Sequence, residues 1–178
     1  MMIDTLIENA GYAHSRQVSK ISALLAASAG YSIEETSIIE QAALYHDVGK
    51  SAIPSEILSK PGALSAEEYA IVKTHTDAGA RQLQDLARML TIASQIAREH
   101  HERCDGSGYM NMQGHELHPY SKLISVVDVF EALYSQRSYK SAWDMNKIRA
   151  FFDDQANQFN PDMVKLLFSN IEKIISLY

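Results

Sequence analysis

Apolar side chains recur every three or four residues along nearly the whole chain, and no stretch alternates with the period of two that a strand requires. That feature confines the chain to helices. Between about Tyr12 and Ala29, Val18, Ile21, Leu24 and Leu25 line one face, and Gly30 stops the run. Ser32 and Glu35 have the spacing of a capping box, and Ile38, Ile39, Ala42, Ala43 and Leu44 carry a second helix toward Gly49. Ser65 and Glu68 repeat the box ahead of Tyr69, Ile71 and Val72. A fourth helix is expected from about Arg88 to Arg103 on Leu90, Ile92, Ile96 and Ala97. Cys104 to Pro119, glycine-rich and poor in aliphatics, breaks the pattern as a loop long enough to suggest function. Helical spacing returns at about Tyr120–Tyr134 (Leu123, Val126, Val127, Phe130, Leu133), Met145–Asp154 and Pro161–Ser176, the last with Asn160 as its cap. The expected class is all-α, a helical bundle with a long loop after its fourth main helix. With 178 residues, 4 prolines and no low-complexity linker, residues 1–178 read as one domain.

Charge and cysteine usage remove several function classes. The formal charge of -6 argues against a nucleic-acid polymer as partner. A small anionic substrate then needs a local positive site, supplied by metal ions or by a few placed cations. The single Cys104 excludes an intramolecular disulfide and a cysteine-rich zinc site, and suits the cytoplasm. The N-terminus carries acids where a secretion signal needs a basic start, and its Met-Met opening reads as the start of a complete chain. No apolar run approaches the ~20 residues that span a bilayer, so no membrane partner is expected. Oligomeric state is not legible in the sequence.

The chemistry lies in the histidines and aspartates. Chance alone gives about 0.4 His-Asp pairs at this composition, so His46-Asp47 means little by itself. Together with His14, His75 and the His100-His101 pair it means more, because imidazoles and carboxylates suit borderline divalent metals. Adjacent helical residues point roughly 100° apart. A His-Asp or His-His pair is therefore badly placed to chelate one ion and well placed to serve two. Two ions about 3.5–4 Å apart form a known clamp for phosphoester displacement.

The order of motifs makes the resemblance specific. His46-Asp47-Val48-Gly49-Lys50, then Ile53-Pro54, Ile57 to Gly62 and Leu64 to Glu68, then His100-His101-Glu102-Arg103-Cys104-Asp105-Gly106-Ser107-Gly108-Tyr109, and finally Val127 to Leu133 with Arg137-Ser138-Tyr139-Lys140, resemble the HD-GYP phosphodiesterases over roughly residues 12–168. The resemblance implies an HD-domain-like bundle and a bacterial signalling enzyme that hydrolyses a cyclic dinucleotide, cyclic di-GMP first among them, to a linear dinucleotide or mononucleotide. It implies two divalent ions, iron or manganese, with nickel, zinc or magnesium also compatible. His14, His46 and Asp128 would hold one ion, His75, His100 and His101 the other, and Asp47 would bridge them. Lys50, one turn past His46 if the helix persists, is expected to steady the phosphate or protonate the leaving oxygen. Arg137 and Lys140 are expected on phosphates and Tyr109 on substrate. Glu102 is read as orienting a ligand histidine, and Asp105 and His118 as plain loop residues. Relatives with a third ion carry a glutamate where this chain has Ala10, so two ions are expected.

The chain departs from the family at Met110, which stands for the proline of Gly-Tyr-Pro, and at Ser138, which stands for that of Arg-Pro-Tyr-Lys. Loss of a fixed φ is expected to loosen the loop. That departure keeps a second reading open: a module that binds cyclic di-GMP, or docks on diguanylate cyclase domains, without turnover. A third is an HD-type phosphohydrolase of mononucleotides.

Overall fold

A computed structural model describes residues 12–84, 91–136 and 142–178, and among them the only strand-like pairing is one isolated bridge, Asp105 to Gln113. The helices are α1 (Tyr12–Ser28), α2 (Ile33–Tyr45), α3 (Ser55–Leu58), α4 (Ala66–Lys73), α5 (His75–Gln84), α6 (Thr91–Glu99), α7 (Pro119–Tyr134), α8 (Met145–Asp154), α9 (Pro161–Ser169) and α10 (Ile171–Ile175), with a 3₁₀ turn at Val48–Ala52. The all-α expectation holds. The long loop follows α6, because two short helices, α3 and α5, precede it in addition to those expected.

The core follows the sequence periodicity. Val18, Ile21 and Leu25 of α1 and Ile96 and Ala97 of α6 are buried where those helices meet α7, and Ile39, Ala42 and Ala43 of α2 are buried in the same core, α2 packing on α1 and α6. Helix α7 is buried along most of its circumference, through Leu123, Ile124, Val126, Val127, Phe130 and Leu133, and so runs through the middle of the bundle. Each such side chain contributes about 1.5–3 kcal/mol on burial. Ile148 and Phe152 of α8, Phe159, Leu167 of α9 and Ile174 of α10 close the same core.

Both capping boxes form. Ser32 accepts from the Glu35 amide while Glu35 reaches back to the Ser32 amide, and Ser65 and Glu68 do the same. Three expected helices differ, among them the fourth, which ends at Glu99 rather than near Arg103. The second stops at Tyr45 rather than running to Gly49, and a 3₁₀ turn carries the chain on to Ala52. The last is broken at Asn170, whose side-chain amide donates to the Leu166 carbonyl and whose oxygen accepts from Ser28.

The stop at Tyr45 has a tertiary cause. The 3₁₀ turn crosses α5 so closely that Gly49 and Gly79 meet backbone to backbone. A Cβ on Gly49 would lie 2.0 Å from the His75 carbonyl oxygen and 2.3 Å from the Gly79 nitrogen. Only glycine fits there, and the crossing brings the segment after Asp47 against the helix that begins at His75.

Candidate metal centre

Three histidines stand just past helix ends, and the helix ends aim them. The last four carbonyls of a helix have no partner within it. His46 Nδ1 lies 2.6 Å from the Ala43 carbonyl in the last turn of α2. His75 Nδ1 lies 2.7 Å from the Val72 carbonyl in the last turn of α4. His100 Nδ1 lies 2.9 Å from the Ala97 carbonyl in the last turn of α6. A carbonyl only accepts, so each Nδ1 donates and each Nε2 is the nitrogen left to face the interior of the site. Those three Nε2 atoms point to one place, where they and Asp47 Oδ1 are buried without a hydrogen-bond partner. Orphaned polar atoms in a core are costly, and a cation would satisfy these four.

The donors fall into two sets. Atoms of Asp47, His75, His100 and His101 lie within 4.8 Å of one another, and so do atoms of His14, His46 and Asp128. Trans ligands at ~2.1 Å from one ion are ~4.2 Å apart, so each set has the span of a single coordination shell. Asp47 straddles them. Its Oδ1 is 3.4 Å from His75 Nε2 and 3.7 Å from His100 Nε2, while its Oδ2 is 3.4 Å from His46 Nε2 and 3.8 Å from His14 Nε2. His14 Nε2 and His46 Nε2 lie 3.0 and 3.6 Å from Asp128 Oδ1. Neither adjacent pair faces apart as successive helical residues would. Helix α2 ends at Tyr45, and His46 Nε2 lies 3.4 Å from Asp47 Oδ2. Helix α6 ends at Glu99, and the His100 and His101 rings, 4.2 Å apart, turn into the same set.

The electrostatics of the centre call for positive charge. Burial works against ionisation of Asp47, but Lys50 and His46 outweigh it and hold the carboxyl well below its usual range. Burial likewise opposes Asp128, and the His14 and His46 rings, 3.0 and 3.6 Å from its Oδ1, hold it well below. Burial pulls His46 down, yet the Asp47 charge and the Asp128 carboxylate bring it up to about 10. In the other set burial pushes His100 down to about 4 and His101 well below its ordinary value, so these rings are neutral donors. Imidazoles and carboxylates in this arrangement are consistent with divalent metal binding.

Lys50 reaches the centre by a different route from the one expected. The helix does not persist past Tyr45, but the 3₁₀ turn brings Nζ onto Asp47 Oδ2. Glu131 lies within the Val127 to Leu133 motif, but no role was expected of it. Buried on α7, it pairs with His14 Nδ1 and also accepts from Ser135. It stands three residues after Asp128, on the same helical face, and that spacing was the available signal. A carboxylate behind a ligand histidine fixes its tautomer and raises its basicity. Glu131→Gln is expected to weaken metal binding by about 10–100-fold at unchanged helix content. Competition against a chelating dye, with circular dichroism as control, measures both.

Glu102 neither orients a histidine nor caps a helix. Its buried carboxylate accepts from the Met110 amide at 2.9 Å and the Met112 amide at 3.0 Å, clamping the long loop. Gly108 lies against Glu102 so closely that a Cβ there would be 2.5 Å from the Glu102 Cα. The clamp holds Tyr109 over His101, with ring centroids 4.8 Å apart. Asp105 makes a turn by accepting from the Ser107 amide and hydroxyl, and His118 caps α7 by accepting from the Tyr120 amide. Met110 therefore does not simply loosen the loop, because it supplies an N–H that proline lacks. Met110→Pro gains about 0.4–1 kcal/mol of chain entropy but loses a bond to a buried carboxylate of about 1.5–3 kcal/mol. The substitution is expected to lower the thermal midpoint by about 2–6 °C, read by calorimetry. Arg137, Lys140 and Ala10 lie outside the described residues.

A family model described as the HD domain matches residues 2–162. The chain belongs to the HD-domain family. This HD domain is 38% identical over 168 residues to the "3'3'-cGAMP-specific phosphodiesterase 2" of Vibrio cholerae serotype O1, covering 93% of this chain and 32% of that protein. It is 40% identical over 154 residues to the "Cyclic di-GMP phosphodiesterase response regulator RpfG" of Xanthomonas campestris pv. campestris, covering 85% of this chain and 41% of that protein. The HD domain thus spans about a third of the length of one of these relatives and about two fifths of the other. Its fold is similar to that of Bd1817, an HDG"Y"P protein from Bdellovibrio bacteriovorus, with a TM-score of 0.74 at 21% identity over 90% of this chain and 52% of that one. Among the described residues of this HD domain no helix is long and apolar enough to cross a membrane.

Proposed function

We propose that the chain is a metal-dependent phosphodiesterase that hydrolyses a cyclic dinucleotide, with cyclic di-GMP as the first candidate. The observation that carries this is the Asp47 carboxylate, one oxygen facing His75 and His100 and the other facing His46 and His14. A residue so placed would serve two ions. His14, His46 and Asp128 would hold one and His75, His100 and His101 the other, with iron or manganese best suited to the mixed nitrogen and oxygen donors. When bound, such a pair supplies an activated water and neutralises charge on the phosphoryl oxygens.

The chain's own residues do the rest. The buried rings and the Glu102-clamped loop exclude bulk water from one side of the site. Lys50, on the rim of the centre, meets the phosphate. As the water oxygen joins phosphorus and the P–O3′ bond breaks, the Lys50 ammonium is the group placed to hand a proton to the leaving oxygen. Arg137 and Lys140 remain candidates for phosphate contact. The names of the relatives support the substrate class, and the firmly tied loop supports turnover over passive binding.

The test is to incubate manganese- or iron(II)-loaded protein with cyclic di-GMP, and separately with mononucleotides, and separate the products by chromatography. Linear dinucleotide or GMP formed from cyclic di-GMP, and abolished by chelation, is the expected result. Cyclic di-GMP bound but left intact would favour the binding module, and cleavage of mononucleotides alone would favour the other class of hydrolase.

A further inference from the structure

A second feature adjoins the centre. Tyr69 and Lys73 of α4 and Arg103, Tyr109 and Gln158 surround a pocket of about 370 Å³, and His101 forms part of its wall. His101 belongs to one of the two donor sets, so an occupant of this pocket lies next to anything held at the centre.

The lining is unusual for a chain with a formal charge of -6. Among the described residues no carboxylate lies within ion-pair distance of Lys73 or Arg103, whereas Lys60 pairs with Glu68 and Arg98 with Asp77. Lys73 sits in the last turn of α4, where its charge complements the helix dipole. That accounts for a basic residue there, but not for its meeting Arg103 in one pocket. Arg103 is held in place: Nη1 donates to the Glu102 carbonyl and the Ser125 hydroxyl, and its guanidinium lies 5.1 Å from the Phe159 ring centroid. Lys73 Nζ lies 5.6 Å from the Tyr69 centroid and 5.8 Å from that of Tyr109. Tyr109 is engaged with His101, but Tyr69 is 47% exposed and keeps an open face.

Two cations that form no ion pair among the described residues, beside a half-exposed aromatic ring, are what a nucleotide needs: donors for its phosphate and a platform for its base. Resting on the function proposed above, we infer that this pocket takes one nucleotide unit of the cyclic dinucleotide, its phosphate toward Lys73 and Arg103 and its base on Tyr69. The spacing of four between Tyr69 and Lys73, which puts both on one face of α4, is the sequence signal for it.

Calorimetric titration of the metal-loaded protein with GMP and with ribose 5-phosphate tests this. Lys73→Gln is expected to weaken both ligands by about tenfold or more. Tyr69→Ala is expected to weaken GMP by about 5–100-fold and leave ribose 5-phosphate unchanged. Lys165→Gln, an exposed residue of α9, serves as the charge control. GMP binding that is absent in the wild type, or equal in the wild type and both pocket variants, overturns the inference. Cyclic di-GMP hydrolysis in the same preparations separates the two readings. A protein that binds GMP through Lys73 and Tyr69 but hydrolyses no cyclic di-GMP keeps the pocket and loses the proposed activity. One that hydrolyses it with KM unchanged in Lys73→Gln keeps the activity and loses the pocket.

Discussion

Asp47→Ala is expected to abolish cyclic dinucleotide hydrolysis, by about 10³-fold or more, and to strip the protein of its metal. The expectation follows from the position of the carboxylate between the two donor sets. Removing a partner behind a ligand already costs about 10–100-fold in affinity, and Asp47 touches both sets directly. Loss of a single transition-state contact elsewhere costs about 10²–10³-fold, which sets a floor for a residue that organises the whole centre. The variant should keep its helical spectrum, since Asp47 lies outside the α-helices, between α2 and the 3₁₀ turn. A second readout is thermal: a ligand at 100 times its Kd stabilises a protein by about 2.7 kcal/mol. Manganese should therefore raise the midpoint of the wild type and leave that of the variant unmoved. Full activity in the variant would remove Asp47 from the account.

Gly49→Ala is expected to be the most damaging single methyl group in the molecule. The added carbon would sit 2.0 Å from the His75 carbonyl oxygen, 2.3 Å from the Gly79 nitrogen and 2.8 Å from the Gly79 Cα. All three are backbone atoms, so no side chain can swing away and the 3₁₀ turn must part from α5. Overpacking of this kind costs about 3 kcal/mol or more, about 10 °C in a chain of this length. The damage reaches the site, because the same movement draws His75 away from Asp47. Gly79→Ala is the control. Its Cβ would approach no closer than 3.1 Å, to the Gly49 nitrogen, and alanine regains up to about 1 kcal/mol of helix propensity. Its midpoint should stay within about 3 °C of the wild type. Equal stability in both variants would mean that the crossing is not as tight as described.

What was legible in the sequence was whatever local physics governs. The periodic faces of α1 and α7 and the boxes at Ser32 and Ser65 depend on residues within a turn or two of each other. The seven donor side chains named by the motifs converge because each stands on or beside such an element. What escaped depends on distant partners. The end of α2 at Tyr45 follows from Gly49 meeting Gly79 across the fold. The carbonyls of Ala43, Val72 and Ala97 carry no side-chain signature, yet they aim His46, His75 and His100. The role of Met110 was misjudged because the sequence shows a missing proline but not the Glu102 carboxylate that its amide serves. The break at Asn170 likewise rests on a contact with Ser28, far away in the chain.

The central claim is that five imidazoles and two carboxylates hold a pair of ions, and metal stoichiometry with ion positions tests it most directly. Protein loaded with manganese should contain two ions per chain. Anomalous diffraction should place one among His14, His46 and Asp128 and the other among His75, His100 and His101, with Asp47 between them. One ion per chain under saturating metal, or two ions bound away from Asp47, would contradict the account.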